Sequence, residues 1–135
     1  MDSQTGTIPR PTDGELTIMR VLWRSGERTV RQVFEELNRD RDAQVVYTTV
    51  LKSMQIMHEK GLVKRNESGK AHIYRAAVTE DQTQTNMVAD LLERAFRGSA
   101  AKLVQHVLET KAASPEELAE IRRMIDDAAK GGESK

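Results

Sequence analysis

The chain contains no cysteine among its 135 residues. This absence excludes disulfide bonds, thiol catalysis, and zinc or iron–sulfur sites that need cysteine ligands. Uncharged apolar runs are only a few residues long, so no segment is expected to span a bilayer. The N-terminus carries no apolar signal region. We therefore expect a cytoplasmic protein with no membrane partner.

Aromatic residues are also scarce, at 4% of the chain, and prolines number only three. So few rings cannot fill a core, so the core is expected to be mostly aliphatic. The sequence holds no HExxH, GxSxG or phosphate-loop pattern. Its histidines, His58, His72 and His106, fall on different predicted elements. These absences predict a protein that is not an enzyme and that needs no cofactor or metal.

Net charge is absent as well, because 21 Lys and Arg balance 21 Asp and Glu. The distribution is nevertheless uneven. Residues 46–75 carry six basic and two acidic groups, net +4, whereas residues 1–45 are net −1 and residues 76–135 net −3. A basic middle segment is typical of a surface that meets an anionic partner, although charges also cluster by chance.

Apolar residues at helical spacing predict three helices in the first half of the chain. Capping-box patterns begin the first helix at Thr12–Glu15 and the second at Thr29–Gln32. Residues 28–30 also fit a short strand before the second helix. The predicted helices are, in order, 13–25, 30–38 and 47–60.

Two extended runs, 62–67 and 71–75, follow the third helix and predict a β-hairpin. We expect Gly69 to take positive φ in the turn between them. Three helices followed by a hairpin is the order of a winged helix–turn–helix domain. We place this domain at 12–78, behind a flexible arm at 1–11.

Three further helices are predicted at 80–97, 100–109 and 115–129, within a helical region at 79–130 that a tail at 131–135 follows. Their apolar faces are too wide for short isolated helices, which favours a twofold dimer over a monomer whose helices fold back on the first domain. The fold class is therefore mainly α with a small β-hairpin: a winged helix–turn–helix domain followed by a helical dimerisation region. The predicted dimerisation residues are Met87, Val88, Leu91, Leu92, Phe96, Leu103, Val104, Val107, Leu108, Leu118, Ile121 and Ile125.

The third predicted helix has one apolar face and one face rich in hydroxyl, amide and amine groups. Such a helix fits the major groove of DNA, where these groups bond to base edges or phosphates. The hairpin turn and the start of the second helix add cations that can reach the flanking backbone. The predicted DNA-binding residues are Thr48, Thr49, Lys52, Ser53, Gln55, Arg65, Lys70, His72, Arg28 and Arg31. Taken singly, each of them also fits an ordinary solvated surface.

Several motifs together resemble the penicillinase repressor family of winged-helix regulators, which also includes methicillin-resistance and copper-responsive repressors. The resemblance spans most of residues 12–108. It implies a homodimeric repressor that binds a dyad operator in double-stranded DNA. The third predicted helix (helix 3) and the predicted β-hairpin (the wing) would make the contacts. The matching stretches are Leu16–Trp23, Gly26, Thr29–Val33, Tyr47–Leu51, Lys60–Arg65 and Gly69–Tyr74, with a weaker match at Gly98–Ser99 and Leu103–Val104.

The sequence departs from the family pattern at three points. Family members often carry Arg where this chain has Ile56, and the copper-responsive branch uses cysteines that are absent here. The antibiotic-responsive branch is cleaved at an Asn-Phe pair, which implies a regulatory protease as a partner. The corresponding positions here are His106 and Val107. Two mechanisms could relieve repression. One is proteolysis in the predicted helices 80–97 and 100–109 (helices 4–5), and the other is binding of a small ligand at the dimer interface.

A second function is compatible with the same pattern. A winged-helix protein–protein adaptor would bind no DNA and would dock its basic strip on an acidic partner. The operator sequence and the regulated genes are not encoded in any motif of the chain.

Overall fold

The fold is described by a computed structural model, which covers residues 9–39 and 44–133. Its elements in chain order are α1 (Asp13–Ser25), β1 (Arg28–Thr29), α2 (Val30–Arg39), α3 (Tyr47–Lys60), β2 (Val63–Asn66), β3 (Ile73–Ala76), α4 (Glu80–Phe96), α5 (Ala100–Thr110) and α6 (Pro115–Glu133). The predicted fold class, mainly helical with a small antiparallel sheet, is confirmed.

Side-chain caps explain where the first helices begin and why the sequence predicted them well. Thr12 Oγ1 accepts from the amide of Glu15 at 3.2 Å, and Glu15 Oε1 accepts from the Thr12 amide at 3.0 Å. Thr29 and Gln32 make the same reciprocal pair at the start of α2. Gly61 ends α3 in the left-handed conformation, at φ 88°, which a residue with a side chain rarely adopts.

The sheet has three strands in the order β1-β3-β2, because a short strand does form before α2 and pairs with β3. It comprises Arg28 and Thr29, whereas Val30 already belongs to α2. The prediction for Gly69 is wrong: the described glycines with positive φ are Gly26, Gly61 and Gly98. The connection between β2 and β3 is long enough to need no tight two-residue turn. Asn66 Oδ1 supports it instead by accepting from the Ser68 amide at 3.0 Å.

An aliphatic core lies between α1, α2, α3 and the sheet, as the scarcity of aromatics predicted. Tyr74 of β3 is buried in it, while Trp23, Phe34 and Tyr47 pack against it partly buried. Trp23 also donates from Nε1 to the Val78 carbonyl at 3.0 Å. The other buried core residues are Ile18, Met19, Val21, Leu22, Val30, Val33, Leu37, Val50, Met54, Met57, Leu62 and Val63.

The described residues form two compact units, and the division falls inside α4, between Ala89 and Asp90. The start of α4 belongs to the first unit, where Thr83 is buried and donates its hydroxyl to the Thr79 carbonyl. The domain limits given above stay a prediction. Most of the predicted arm, residues 1–8, lies outside the described residues, and α6 continues through Glu133 into the predicted tail. No helix in the described part of the chain combines the length and apolarity needed to cross a membrane.

One partly buried ion pair joins the first helix to the end of the third. Lys60 Nζ lies 2.6 Å from Glu15 Oε1, and the side chain of Glu15 is only 8% exposed. Lys60 also donates to the Arg10 carbonyl at 3.2 Å. Removing the lysine would leave a carboxylate in a poorly solvated site with only its capping bond, which costs more than the loss of a surface pair.

We expect Lys60→Met to lower the free energy of unfolding by about 2 kcal/mol, the scale of a lost charge-assisted hydrogen bond. Urea unfolding of the full chain measures this through the fluorescence of Trp23, the single tryptophan. Lys64→Met, on an exposed strand position, is the matched control and should change stability little. Equal losses for the two variants would contradict a structural role for Lys60.

Candidate nucleic-acid interface

Helix α3 presents two chemically different faces. Val50, Met54 and Met57 are at most 2% exposed and fix the inner face against the core. On the opposite side Thr48, Thr49, Lys52 and Gln55 are exposed, and Ser53 is half-buried. The polar face predicted from the sequence is therefore accessible along the length of the helix.

The start of α3 is held by the side chain of Asn38 at the end of α2. Its Nδ2 donates to the carbonyls of Phe34 and Val45, at 3.0 and 3.3 Å, and its Oδ1 accepts from the Val45 amide at 3.3 Å. The N-cap of α3 is Val46, which offers no side-chain hydrogen bond. The first turn is closed by the backbone instead, because the amides of Thr49 and Val50 both donate to the Val46 carbonyl, at 3.0 and 3.2 Å.

Arg31, near the start of α2, lies over the aromatic ring that opens α3. Its guanidinium carbon is 4.9 Å from the centroid of Tyr47 and 6.0 Å from that of Phe34. The two rings meet edge to face with centroids 5.6 Å apart. This packing holds an exposed cation beside the N-terminus of α3.

The hairpin of β2 and β3, the wing, carries a second group of predicted residues. Lys70 and His72 are exposed in its connection. Arg65 is bound to Glu67, with Nη2 2.6 Å and Nε 2.7 Å from Oε2. This hydrogen bond and the charge of Arg65 hold the pKa of Glu67 below its usual range, so the carboxylate offsets the arginine at neutral pH.

A cleft of about 740 Å³ brings three elements of the first unit together. It is lined by Arg31 of α2, Gln55 of α3, and Arg65, Lys70 and His72 of the wing. Five of the ten predicted DNA-binding residues therefore border one open space. Thr48, Thr49, Lys52 and Ser53 lie on α3 outside that lining.

Arg28, the tenth predicted residue, is engaged inside the protein. Its Nε is 3.0 Å from Glu36 Oε2, and Arg24 and Ser25 bond to Oε1 of the same carboxylate. Partial burial raises the pKa of Glu36, but the hydrogen bonds from Ser25, Arg28 and Arg24 outweigh it and the net pKa is lowered. A phosphate contact by Arg28 would have to compete with this ionised partner.

The apolar residues predicted for dimerisation are largely accessible. Met87, Val88 and Leu91 of α4, Val104, Val107 and Leu108 of α5, and Leu118 and Ile125 of α6 are exposed by 38–58%. Leu92, Phe96, Leu103 and Ile121 are half-buried, and the Phe96 ring lies 5.6 Å from that of His106. So many exposed apolar side chains are typical of an interaction surface.

The comparison with known proteins identifies the family. The sequence model for the penicillinase repressor family matches residues 11–127. The chain belongs to the penicillinase repressor family. The resemblance seen in its motifs is thereby confirmed, and the family is one of transcriptional repressors rather than of enzymes.

Relatives of known type cover nearly the whole chain. A transcriptional regulator BlaI of Mycobacterium tuberculosis is 32% identical over 126 residues, 92% of this chain and 88% of that protein. The penicillinase repressor of Bacillus licheniformis is 23% identical over 122 residues, 89% of this chain and 92% of that one. The solved structure of RosR from H. salinarum superposes with a TM-score of 0.50 at 18% identity, covering 89% of this chain and 94% of that chain, which shows a shared fold.

Three residues that matter for these sites are not among the predicted site residues. Tyr47, named above only within the stretch Tyr47–Leu51, lines the cleft, and its ring packs against the guanidinium of Arg31. Glu36 has no local signal, because its partners come from α1 and β1. Met124, 58% exposed on α6, was signalled by its spacing of three from Ile121 but was not included. Within the described ranges, no three metal-ligating side chains converge.

The Glu36 cluster predicts a pH-dependent stability. Because the pKa of Glu36 is lower in the folded chain than in the unfolded one, the ionised carboxylate stabilises the fold at neutral pH, and this contribution is lost as the pH falls through the folded pKa. Glu36→Gln should therefore be less stable than the wild type by about 1 kcal/mol at pH 7. Urea unfolding followed from pH 7 down to pH 3.5 should show this gap close.

Glu35→Gln is the matched control, since Glu35 is an exposed neighbour on the same helix. It should change stability little at any pH. A Glu36→Gln deficit that persists unchanged at the acid end would show that the ionised form of Glu36 is not the cause.

Proposed function

We propose that the chain is a homodimeric, sequence-specific repressor that reads a dyad operator in duplex DNA through α3 and the wing. The observation that carries the proposal is the placement of Arg31, Gln55 and the wing cations around one cleft, beside the exposed polar face of α3. Family membership supports it, because the relatives named above are a penicillinase repressor and a transcriptional regulator.

The dimensions of α3 suit the major groove. Its 14 residues extend over about 21 Å and so can lie in a groove about 12 Å wide with the N-terminal half against the bases. Thr48, Thr49 and Gln55 offer hydroxyl and amide groups to base edges. Lys52 on α3 and Lys70 on the wing are exposed cations suited to phosphates on either side.

Two copies are needed to read a dyad, and the exposed apolar residues of α4, α5 and α6 supply a surface for pairing. A twofold dimer would place two α3 helices about 34–36 Å apart, or at a multiple of one helical turn. We also propose a regulatory protease as a partner, and α5, where His106 and Val107 are exposed, is the segment that it would meet.

We expect Lys52→Ala and Lys70→Ala each to weaken binding to duplex DNA and to flatten its salt dependence. Each lost phosphate contact reduces the slope of log K against log salt by about 0.9, or about 1.8 for the two copies in a dimer. Fluorescence anisotropy between 50 and 200 mM salt measures both effects. Lys102→Ala, an exposed lysine on α5, is the control and should leave the slope unchanged.

The same titration tests the alternative function. A protein–protein adaptor would show no duplex binding by the wild type even at low salt, and that result would refute DNA repression. Selection from random duplexes with the purified protein should recover a palindrome, whereas recovery of an asymmetric site would count against a twofold reader.

Dimerisation is tested on α5, where Val107 is 52% exposed. Val107→Glu places a charge on the proposed apolar interface and should convert the dimer to a folded monomer in sedimentation velocity. Operator affinity should then fall at least tenfold, because two-site avidity is lost. Gln105→Glu adds the same charge on the polar side of α5 and should remain dimeric; a dimeric Val107→Glu variant would contradict the assignment.

A further inference from the structure

Ile56 is an apolar residue in the middle of the polar face of α3. It is 38% exposed, whereas the other apolar residues of this helix face the core or pack against it. Residues three or four apart lie together on a helix, so its neighbours are Lys52, Ser53, Glu59 and Lys60. Lys60 is already paired with Glu15 of α1. Thr49 lies two turns before it on the same side.

No requirement of the fold accounts for an isoleucine at this position. Val50, Met54 and Met57 already complete the inner stripe of α3, and Ile56 is not part of the core cluster. A polar side chain here would cost the folded monomer little. The position lies where the proposed function brings α3 against DNA, so its chemistry is best explained by what it would meet there.

We propose that Ile56 is a specificity-determining residue that contacts the C5-methyl group of one thymine in each half-site. This inference rests on the proposed function and adds a base preference to it. The thymine methyl is the apolar feature of the major-groove base edges, while the groove walls are lined by phosphates that favour the cations nearby.

The order of side chains along α3 limits how far along the helix the contacts with bases extend. Glu59 follows Ile56 by one turn and is exposed, and a carboxylate is repelled by the phosphate backbone. The helix should therefore enter the groove with its N-terminal part and leave it beyond Ile56. Ile56 is then the last residue of this face that meets bases, after Thr49, while Lys52 between them reaches a phosphate.

The test removes single methyl groups from the operator. The duplex recovered by selection is resynthesised with uracil in place of each thymine in turn, and binding of the full-length wild type is compared with that of Ile56→Ala. One thymine per half-site should be sensitive, with a loss of about fourfold per methyl group, the effect of burying one such group. The same replacement should have no effect on Ile56→Ala.

Two further variants make the result specific. Ile73→Ala removes an isoleucine of the same 38% exposure from the wing and should retain the full uracil effect. Ile56→Arg should shift the selected base at the sensitive position towards guanine, whose acceptors suit a guanidinium. Circular dichroism checks that each variant is folded, as expected for substitutions at exposed positions.

The outcomes separate this inference from the function on which it rests. Absence of duplex binding by the wild type would refute both. Tight binding in which uracil is tolerated everywhere, or in which it weakens the wild type and Ile56→Ala equally, would refute the Ile56 contact alone. A uracil effect abolished only by the Ile56 substitutions would establish it.

Discussion

The packing of α3 against the core is the constraint on which the interface depends. Val50, Met54 and Met57 are almost completely buried, and this inner stripe fixes the rotation of the helix about its own axis. Because side chains on a helix keep fixed angular positions, the same packing decides which residues face outwards. Asn38 then fixes the entry into the helix, so the polar face is presented by a rigid element rather than by a loop.

Internal ion pairs decide how much of the positive charge is available to a partner. Of the cations in the basic middle segment, Lys60 is held by Glu15 and Arg65 by Glu67. Arg28 of β1, which lies outside that segment, is held by Glu36. Lys52 and Lys70, both exposed, are the cations of this segment that are proposed to meet phosphates. A charge count along the sequence thus overstates the electrostatic attraction, because several cations stabilise the fold instead.

The second unit leaves many apolar side chains exposed to water. Val107, Met124 and Ile125 are exposed by 52–58%, which is costly for residues of this kind in water. A second copy of the chain would remove this area from water and would also provide the symmetry that a dyad requires. Under the proposed function, the same surface would serve both association and the reading of DNA.

The sequence by itself determined the elements, because caps and periodicity are local. Thr12 and Glu15, Thr29 and Gln32, and Gly61 act within a few residues of their own positions, so helix limits could be predicted closely. The faces of α3 followed from its period for the same reason.

Only the tertiary structure decided which residues meet across elements. The pairing of β1 with β3, the capture of Arg28 by Glu36, and the position of Arg31 over Tyr47 depend on distances between segments that no local pattern encodes. The prediction for Gly69 is wrong because a long connection allows several geometries, and the one adopted includes the hydrogen bond from the Ser68 amide to Asn66.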